Sequence, residues 1–268
     1  MKKVRNFILL IVILIFLLLI SYSIYNIINH IKDSNNINKN LEIINENITK
    51  EIVKDSDNTN IVENDINKED PYWSYLNNSL TNVSFDKLKE INNEVKGWLK
   101  VKGTDVDYPY VKTSNNTFYL SHSFDKSKNI AGWIFQDYRN DDINDKNTII
   151  YGHDRSDKIM FGSLKDTLKK EWFNNRSNHI ITLSTEYVNS LWQIFSIYTI
   201  PNTNDYMKIN FSSNEEFNDF LTIIKDRSIY DFKTDILETD KILTLSTCYK
   251  NANNKLVIHA RLIKYENK

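Results

Sequence analysis

One cysteine and five histidines supply the nucleophile and base candidates in this chain of 268 residues. Cys248 ends the run Ile242-Leu243-Thr244-Leu245-Ser246-Thr247-Cys248. Read as a strand, alternation puts Leu243, Leu245 and Thr247 on one face and Thr244, Ser246 and Cys248 on the other. A thiol at a strand end, beside small hydroxyls, is open to a substrate. Deprotonated, it attacks an acyl carbon. The alternative is a buried cysteine packed like a small apolar group. Spacing alone does not choose.

A thiol nucleophile needs a base or an electropositive neighbour. His153 closes the apolar run 148–153 and precedes a polar loop, so it also stands at a strand end, where sites assemble. His30 lies at the edge of an apolar N-terminal segment, and His122 and His179 lie in polar, loop-like surroundings that suggest the surface. His259 falls inside a strand and reads as a satisfied sheet residue. Asp154 invites a Cys–His–Asp triad, although adjacent side chains usually point apart.

Composition removes other chemistries. With 34 Lys+Arg against 35 Asp+Glu, the net charge is −1, so neither a nucleic-acid surface nor an acidic tail is indicated. A lone cysteine excludes an internal disulfide framework and any multi-cysteine metal site. No phosphate-binding glycine motif or H-E-x-x-H is present. Asp141, Asp142 and Asp145 form an acidic loop of solvated carboxylates rather than a metal constellation, so no cofactor or metal is expected.

The N-terminus places these residues outside the cytosol. Residues 7–20 are all apolar and the run continues more weakly to Ile28, a helix of about 33 Å against a hydrocarbon core of about 30 Å. Lys2, Lys3 and Arg5 precede it and no acid appears before Asp33. That asymmetry predicts a basic cytosolic tail over 1–6, a retained signal anchor over 7–28, and an extracellular remainder. A polar spacer, partly helical or disordered, is expected over 29–70, where Ile37, Leu41, Ile44, Ile48 and Ile52 form one narrow helical stripe.

The folded domain is expected over 71–268, opening with the aromatics that follow Pro71. Ser84 with Phe85, Leu88, Ile91 and Val95 suggests a capped helix stopped at Gly97. Strands are expected at 98–101, 106–111 (edge or bulged, because of Pro109), 132–135, 148–153, 180–183, 191–200, 241–248 and 255–265. Asn251, Asn253 and Asn254 suggest the last turn. Short helices are expected around Met160–Leu168 and after Ser213, where Ser213 and Glu216 make a capping box. Mainly β with added helices is the fold class: a barrel or sandwich.

Ile150-Tyr151-Gly152-His153 and Thr244-Leu245-Ser246-Thr247-Cys248 together resemble the sortases, the cysteine transpeptidases that attach proteins to Gram-positive cell walls. Gly97-Trp98-Leu99, Asp107-Tyr108-Pro109, Phe118-Tyr119-Leu120, Ile134-Phe135-Gln136-Asp137-Tyr138-Arg139 and Met160-Phe161-Gly162 are similar, in the same order, to class B members. The resemblance covers roughly residues 85–265. It implies an eight-stranded β-barrel preceded by N-terminal helices, Cys248 as nucleophile and His153 as its proton-transfer partner. It also implies a sorting pentapeptide of the Asn-Pro-x-Thr-x type on a surface protein, and a peptidoglycan amine as acceptor. Ser246 and Thr247 are the substrate-binding candidates, and 187–207 is where a specificity loop is expected.

The family's third residue is an arginine early in the strand after the cysteine. Here Lys255 occupies that place. Arg261, the only arginine in the strand, lies six residues further, about 20 Å along an extended chain. In a hairpin, Lys255 starts near Cys248 and Arg261 ends far from it, while Arg139 or Arg155 could substitute in space. Lysine supplies charge but lacks arginine's planar fork. Two rival functions remain at this stage: an anchored cysteine protease that releases the acyl group to water, and a non-catalytic wall-binding module.

Overall fold

The structure is a computed structural model. It describes residues 2–53, 58–62, 72–141, 145–201, 203–249 and 251–268. Pro71, Asp142 and the disorder expected across 54–57 and 63–70 lie outside the described residues.

The chain opens with one unbroken helix, α1 (Lys2–Asn47), whose 46 residues make about 69 Å. Its large apolar side chains up to Ile28 are exposed, and the helix is long and apolar enough to cross a membrane. The other end is docked: Ile37 and Ile44 are buried in the main core, with Leu41 and Ile48 packed beside them. Ile52 leaves that stripe, because the helix stops at Asn47 and Ile52 lies exposed in strand β1 (Lys50–Val53).

After β2 (Thr59–Ile61) and the short α2 (Tyr72–Leu76), β3 (Leu80–Val83) pairs with β1. The helix expected from Ser84 to Gly97 is only α3 (Asp86–Ile91), with no side-chain cap. Asn92 ends it in an extended conformation, and its amide donates to Tyr119 Oη and Phe124 O while its Oδ1 accepts from Glu94 N. The tertiary bonds of one side chain thus override the helical periodicity of Val95.

The barrel comprises β4 (Val95–Val101), β5 (Asp107–Val111), β6 (Phe135–Gln136), β7 (Asn147–Tyr151), β8 (Ile180–Thr185), β9 (Val188–Pro201), β10 (Ile242–Tyr249) and β11 (Asn251–Asn267). Strand order is β10-β7-β6-β5-β4-β8-β9-β11, and β11 pairs back onto β10 to close eight strands, with β2 on the outer margin of β11. Pro109 fits because β5 meets β6 only at Val111, so no ladder donor is needed on that side. Alternation sends Leu243, Leu245, Leu256, Ile258 and Ala260 into the barrel. The opposite faces of β9, β10 and β11 bury Phe195, Tyr198, Ile242 and Val257 under α5 (Asn214–Asp226). Ser213 Oγ accepts from Glu216 N at the start of that helix, as the capping box requires. The expected asparagine turn is shifted: Asn251 already pairs with Tyr249, and a bulge follows Cys248.

Candidate active site

β7 and β10 run parallel, and their register ends at Tyr151 opposite Ser246. Gly152 N still donates to Ser246 O at 3.4 Å. His153 and Cys248 each lie two residues beyond that last pair, so the parallel ladder delivers both to the same end of the barrel. There the chains diverge. β10 continues along β11, while the His153 segment turns into a loop held by Phe161 N donating to His153 O.

Cys248 is partly exposed and pairs across the hairpin with Lys255. Lys255 Nζ donates to Cys248 Sγ at 3.4 Å. The other three cation candidates are committed elsewhere. Arg261 pairs with Ile242 at the far end of the hairpin, fully buried, with its guanidinium on Gln193 Oε1 and Asp235 O. Arg139 grips both oxygens of buried Asp137 and also donates to Met207 O. Burial alone would raise the Asp137 carboxyl, but bonds from Arg139 and the Tyr151 hydroxyl hold it below the ordinary carboxylate range. Arg155, nearly buried, is bound to Asp157 and Ser34.

His153 Nε2 lies 2.8 Å from Leu120 O. A carbonyl only accepts, so Nε2 carries the proton and Nδ1 is the nitrogen left to exchange one. A Cβ added to Gly132, which has φ +62°, would stand 2.8 Å from the imidazole Cδ2, so this glycine lets the turn lie flat against the ring. Asp154 does not complete a triad: its Oδ1 is ion-paired with Lys165 Nζ at 3.2 Å. A cavity of about 540 Å³ opens beside His153, lined also by His30, Ile130, Asp154, Arg155, Ser156 and Lys165.

Ser246 and Thr247 are both buried. Ser246 Oγ lies 2.9 Å from Tyr206 Oη, on the nucleophile's face of β10. Burial pushes the Tyr206 phenol up to about 12, so it stays a neutral hydrogen-bonding group. Thr247 is on the inward face with Leu245, and its Oγ1 has no hydrogen-bond partner among the described residues. Most of 187–207 is strand β9, so the segment covering the nucleophile's face begins at the turn Asp205–Met207 and continues through α5. Sequence reasoning did not single out Tyr206 or Gly132. Gly132 was the more legible, as a glycine three residues before the aromatic strand β6.

The remaining histidines are accounted for. His122 stacks on Phe118 with ring centroids 3.9 Å apart. His179 is not on the surface as expected: it is buried among Tyr75, Phe173 and Phe232, with Nδ1 3.0 Å from Tyr75 Oη, and burial pushes it down to about 4. His259 is held between Tyr198 Oη and Thr244 Oγ1, and burial pushes it down to about 3. Among the described residues, no three His, Cys, Asp or Glu stand together to hold a metal ion. Asp145 is buried against Asn140 and the Asp141 amide.

Known proteins resemble this chain in sequence and in fold. Residues 99–263 match the family model described as Sortase domain. The chain is 33% identical to Staphylococcus aureus sortase B over 184 residues, 67% of this chain and 75% of that protein. The X-ray structure of Clostridium perfringens sortase B superposes with a TM-score of 0.64 at 35% identity, covering 67% of this chain and all of that one. A Staphylococcus aureus sortase B–substrate complex superposes with a TM-score of 0.63 at 33% identity, covering 67% of this chain and 84% of that one.

Proposed function

The chain belongs to the sortase family of cysteine transpeptidases, in its class B branch, and from that premise we propose which residues carry the transfer and what is transferred. Cys248 is the nucleophile, His153 the proton carrier and Lys255 the oxyanion cation. The observation that carries this reading is the 3.4 Å contact of Lys255 Nζ with Cys248 Sγ, at the barrel end where the His153 strand also terminates.

The Cys248 thiolate attacks the carbonyl carbon of a threonine in the sorting peptide, forming the C–S bond and moving the π pair onto oxygen. Lys255 stabilises that oxyanion, with main-chain N–H groups near Cys248. Collapse breaks the C–N bond, and protonated His153 gives its proton to the departing amine. The thioester is then attacked by an acceptor amine whose proton passes to His153, and the thiolate leaves. A thioester accepts amines readily, which suits sulfur to transfer rather than simple hydrolysis.

The donor is a surface protein with an Asn-Pro-x-Thr-x type signal, bound at the barrel end where Cys248 and His153 meet. The acceptor is a peptidoglycan amine. Residues 1–6 form a cytosolic tail, 7–28 a single membrane span and 29–70 the link to a catalytic domain over 71–268 on the extracellular side. The docked half of α1 and strands β1 and β2 bring part of that link onto the domain.

The test is cleavage of a quenched Asn-Pro-Gln-Thr-Asn peptide by the full chain in detergent, with and without an amine acceptor, beside Cys248→Ala. Ligated product that needs both Cys248 and the amine is the expected result. Release to water alone in the presence of amine would identify a protease instead.

A further inference from the structure

The transmembrane reading of α1 fixes where the rest of the molecule stands, because the helix does not break after its apolar run. Four side-chain contacts tie the domain to the first turns beyond Ile28. His30 Nε2 lies 3.3 Å from Arg155 Nη2. Ser34 Oγ accepts from Arg155 Nη2 at 2.8 Å and donates to Asp157 Oδ2 at 2.8 Å. Asn129 Nδ2 donates to Asp33 O at 3.1 Å. Two loops, one carrying Ile130 and one following His153, are therefore clamped to the helix where it leaves the apolar segment.

The heights follow from helix geometry. At 1.5 Å per residue, His30 and Asp33 lie about 3 and about 7 Å beyond Ile28. The headgroup layer on each side of a bilayer is about 5–8 Å thick. With residues 7–28 across the hydrocarbon, both loops stand level with the headgroups.

What they present there fits that environment. Ile130 is 74% exposed, and among the described large apolar side chains beyond α1 only Ile52 is more so. It sits in a turn with exposed Lys128 two residues before it, and exposed Lys32 on the adjoining helix. Asp157 is bonded to Arg155 and Ser34 and Asp154 is paired with Lys165, whereas Asp33 adjoins Lys32 and offsets its charge, leaving Lys128 as the net cation of the patch. An apolar side chain for the acyl boundary beside a lysine for lipid phosphates is the chemistry of an interfacial contact.

We propose that the Ile130 turn is a second membrane contact, docking the catalytic domain directly on a phosphate-bearing lipid surface. This rests on the reading of α1 as the membrane span. Gly132, which abuts the His153 ring, is two residues from Ile130, and the cavity beside His153 is shared by His30 and Ile130. The proton-transfer side of the site is thereby held at headgroup height, and substrates reach it from the membrane plane rather than from bulk solvent.

The test uses the full chain carrying Cys248→Ala, in nanodiscs containing an anionic phospholipid, with one new cysteine labelled by bimane. Ile130→Cys reports the proposed contact, Leu18→Cys the span, and Tyr187→Cys the far end. Tyr187 neighbours Glu186, which is ion-paired with Lys89 of α3, and Ser84 just before α3 bonds to Thr49 beyond the end of α1. The expected result is at least twofold quenching at 130 by lipids carrying a shallow nitroxide, quenching at 18 by a deep nitroxide, and none at 187. Quenching at 18 without quenching at 130 overturns the docking proposal and leaves the anchor standing. Absence of quenching at both positions overturns the anchor and the proposal together. Lys128→Glu is expected to weaken the signal at 130 in anionic discs and not in zwitterionic ones, and an equal effect in both would overturn the role given to the net negative charge of the lipid surface.

Discussion

Lys255 and Cys248 face each other across the last hairpin, with the ammonium 3.4 Å from the sulfur. The register that pairs them is the same one that sends Arg261 to the opposite end, beside Ile242. A one-residue slip would put Lys255 on the inner face of the barrel, among Leu256's neighbours, so which basic side chain faces Cys248 is a consequence of strand register.

If Lys255 supplies positive charge to the oxyanion, charge should matter more than shape. Lys255→Ala is expected to lower kcat/KM on the order of 10²-fold, the scale for losing one oxyanion donor. Lys255→Arg should retain most activity, whereas Lys255→Met, which keeps the stem, should not. Peptide-cleavage kinetics on the three variants decide it, and equal activity for Met and Arg would remove Lys255 from the reaction.

Gly132 gives a second, independent handle on the site. At φ +62° a side chain is strained, and its Cβ would meet Tyr119 O at 2.5 Å and the His153 ring at 2.8 Å. Gly132→Ala is expected to displace the imidazole and lower kcat on the order of 10²-fold. Gly103→Ala is the control: φ there is +72° and the Cβ would press on Asn178, far from the hairpin end. It should lower the melting temperature and leave kcat unchanged.

The local elements and the Cys248–Lys255 pairing were legible because hairpin arithmetic is local. Two strands with a short turn bring the residue after the turn back to the strand end. What escaped depends on distant residues. Asn92 cuts a helix short by binding Tyr119 and Phe124, neither of which is near it in the chain. His179 looks solvent-facing among polar neighbours, yet Tyr75 and Phe232 come from far away to enclose it. Tyr206 reaches Ser246 only because the crossover after β9 folds over β10. The stripe Ile37–Ile44 announced a helix, but that it continues the apolar segment without a break required the helix to be seen.

Arg261 separates structure from chemistry. Its guanidinium is fully buried on Gln193 Oε1 and Asp235 O, so Arg261→Ala leaves one buried and one half-buried acceptor short of a donor. A loss of about 3 kcal/mol is expected from hydrogen bonds made by a charged group. Urea unfolding should show that loss, while iodoacetamide modification of Cys248 in the still-folded protein should proceed at the parent rate. A change in thiol reactivity without a change in stability would return Arg261 to the site.

The two buried histidines set the acid limit of the fold. His179 and His259 are pushed down to about 4 and about 3 from 6.5, because burial disfavours the imidazolium. Between those values and 6.5 the unfolded chain binds protons that the folded one refuses, so stability must fall as pH falls through that window. Each histidine contributes a slope of about 1.4 kcal/mol per pH unit where only the unfolded form is protonated. The lowered carboxylates, Asp137 among them, act in a different window, below their ordinary value near 3.8. Unfolding free energy measured from pH 7 to 4.5 should therefore drop steeply before most of the carboxylate contribution is lost. In His179→Gln the drop should be about half as steep, because Gln keeps a hydrogen-bonding amide in the cage of Tyr75 and Phe173 and takes up no proton. An unchanged slope in that variant would mean that His179 is already protonated in the fold, and would require a carboxylate partner in its cage that the aromatic enclosure does not provide.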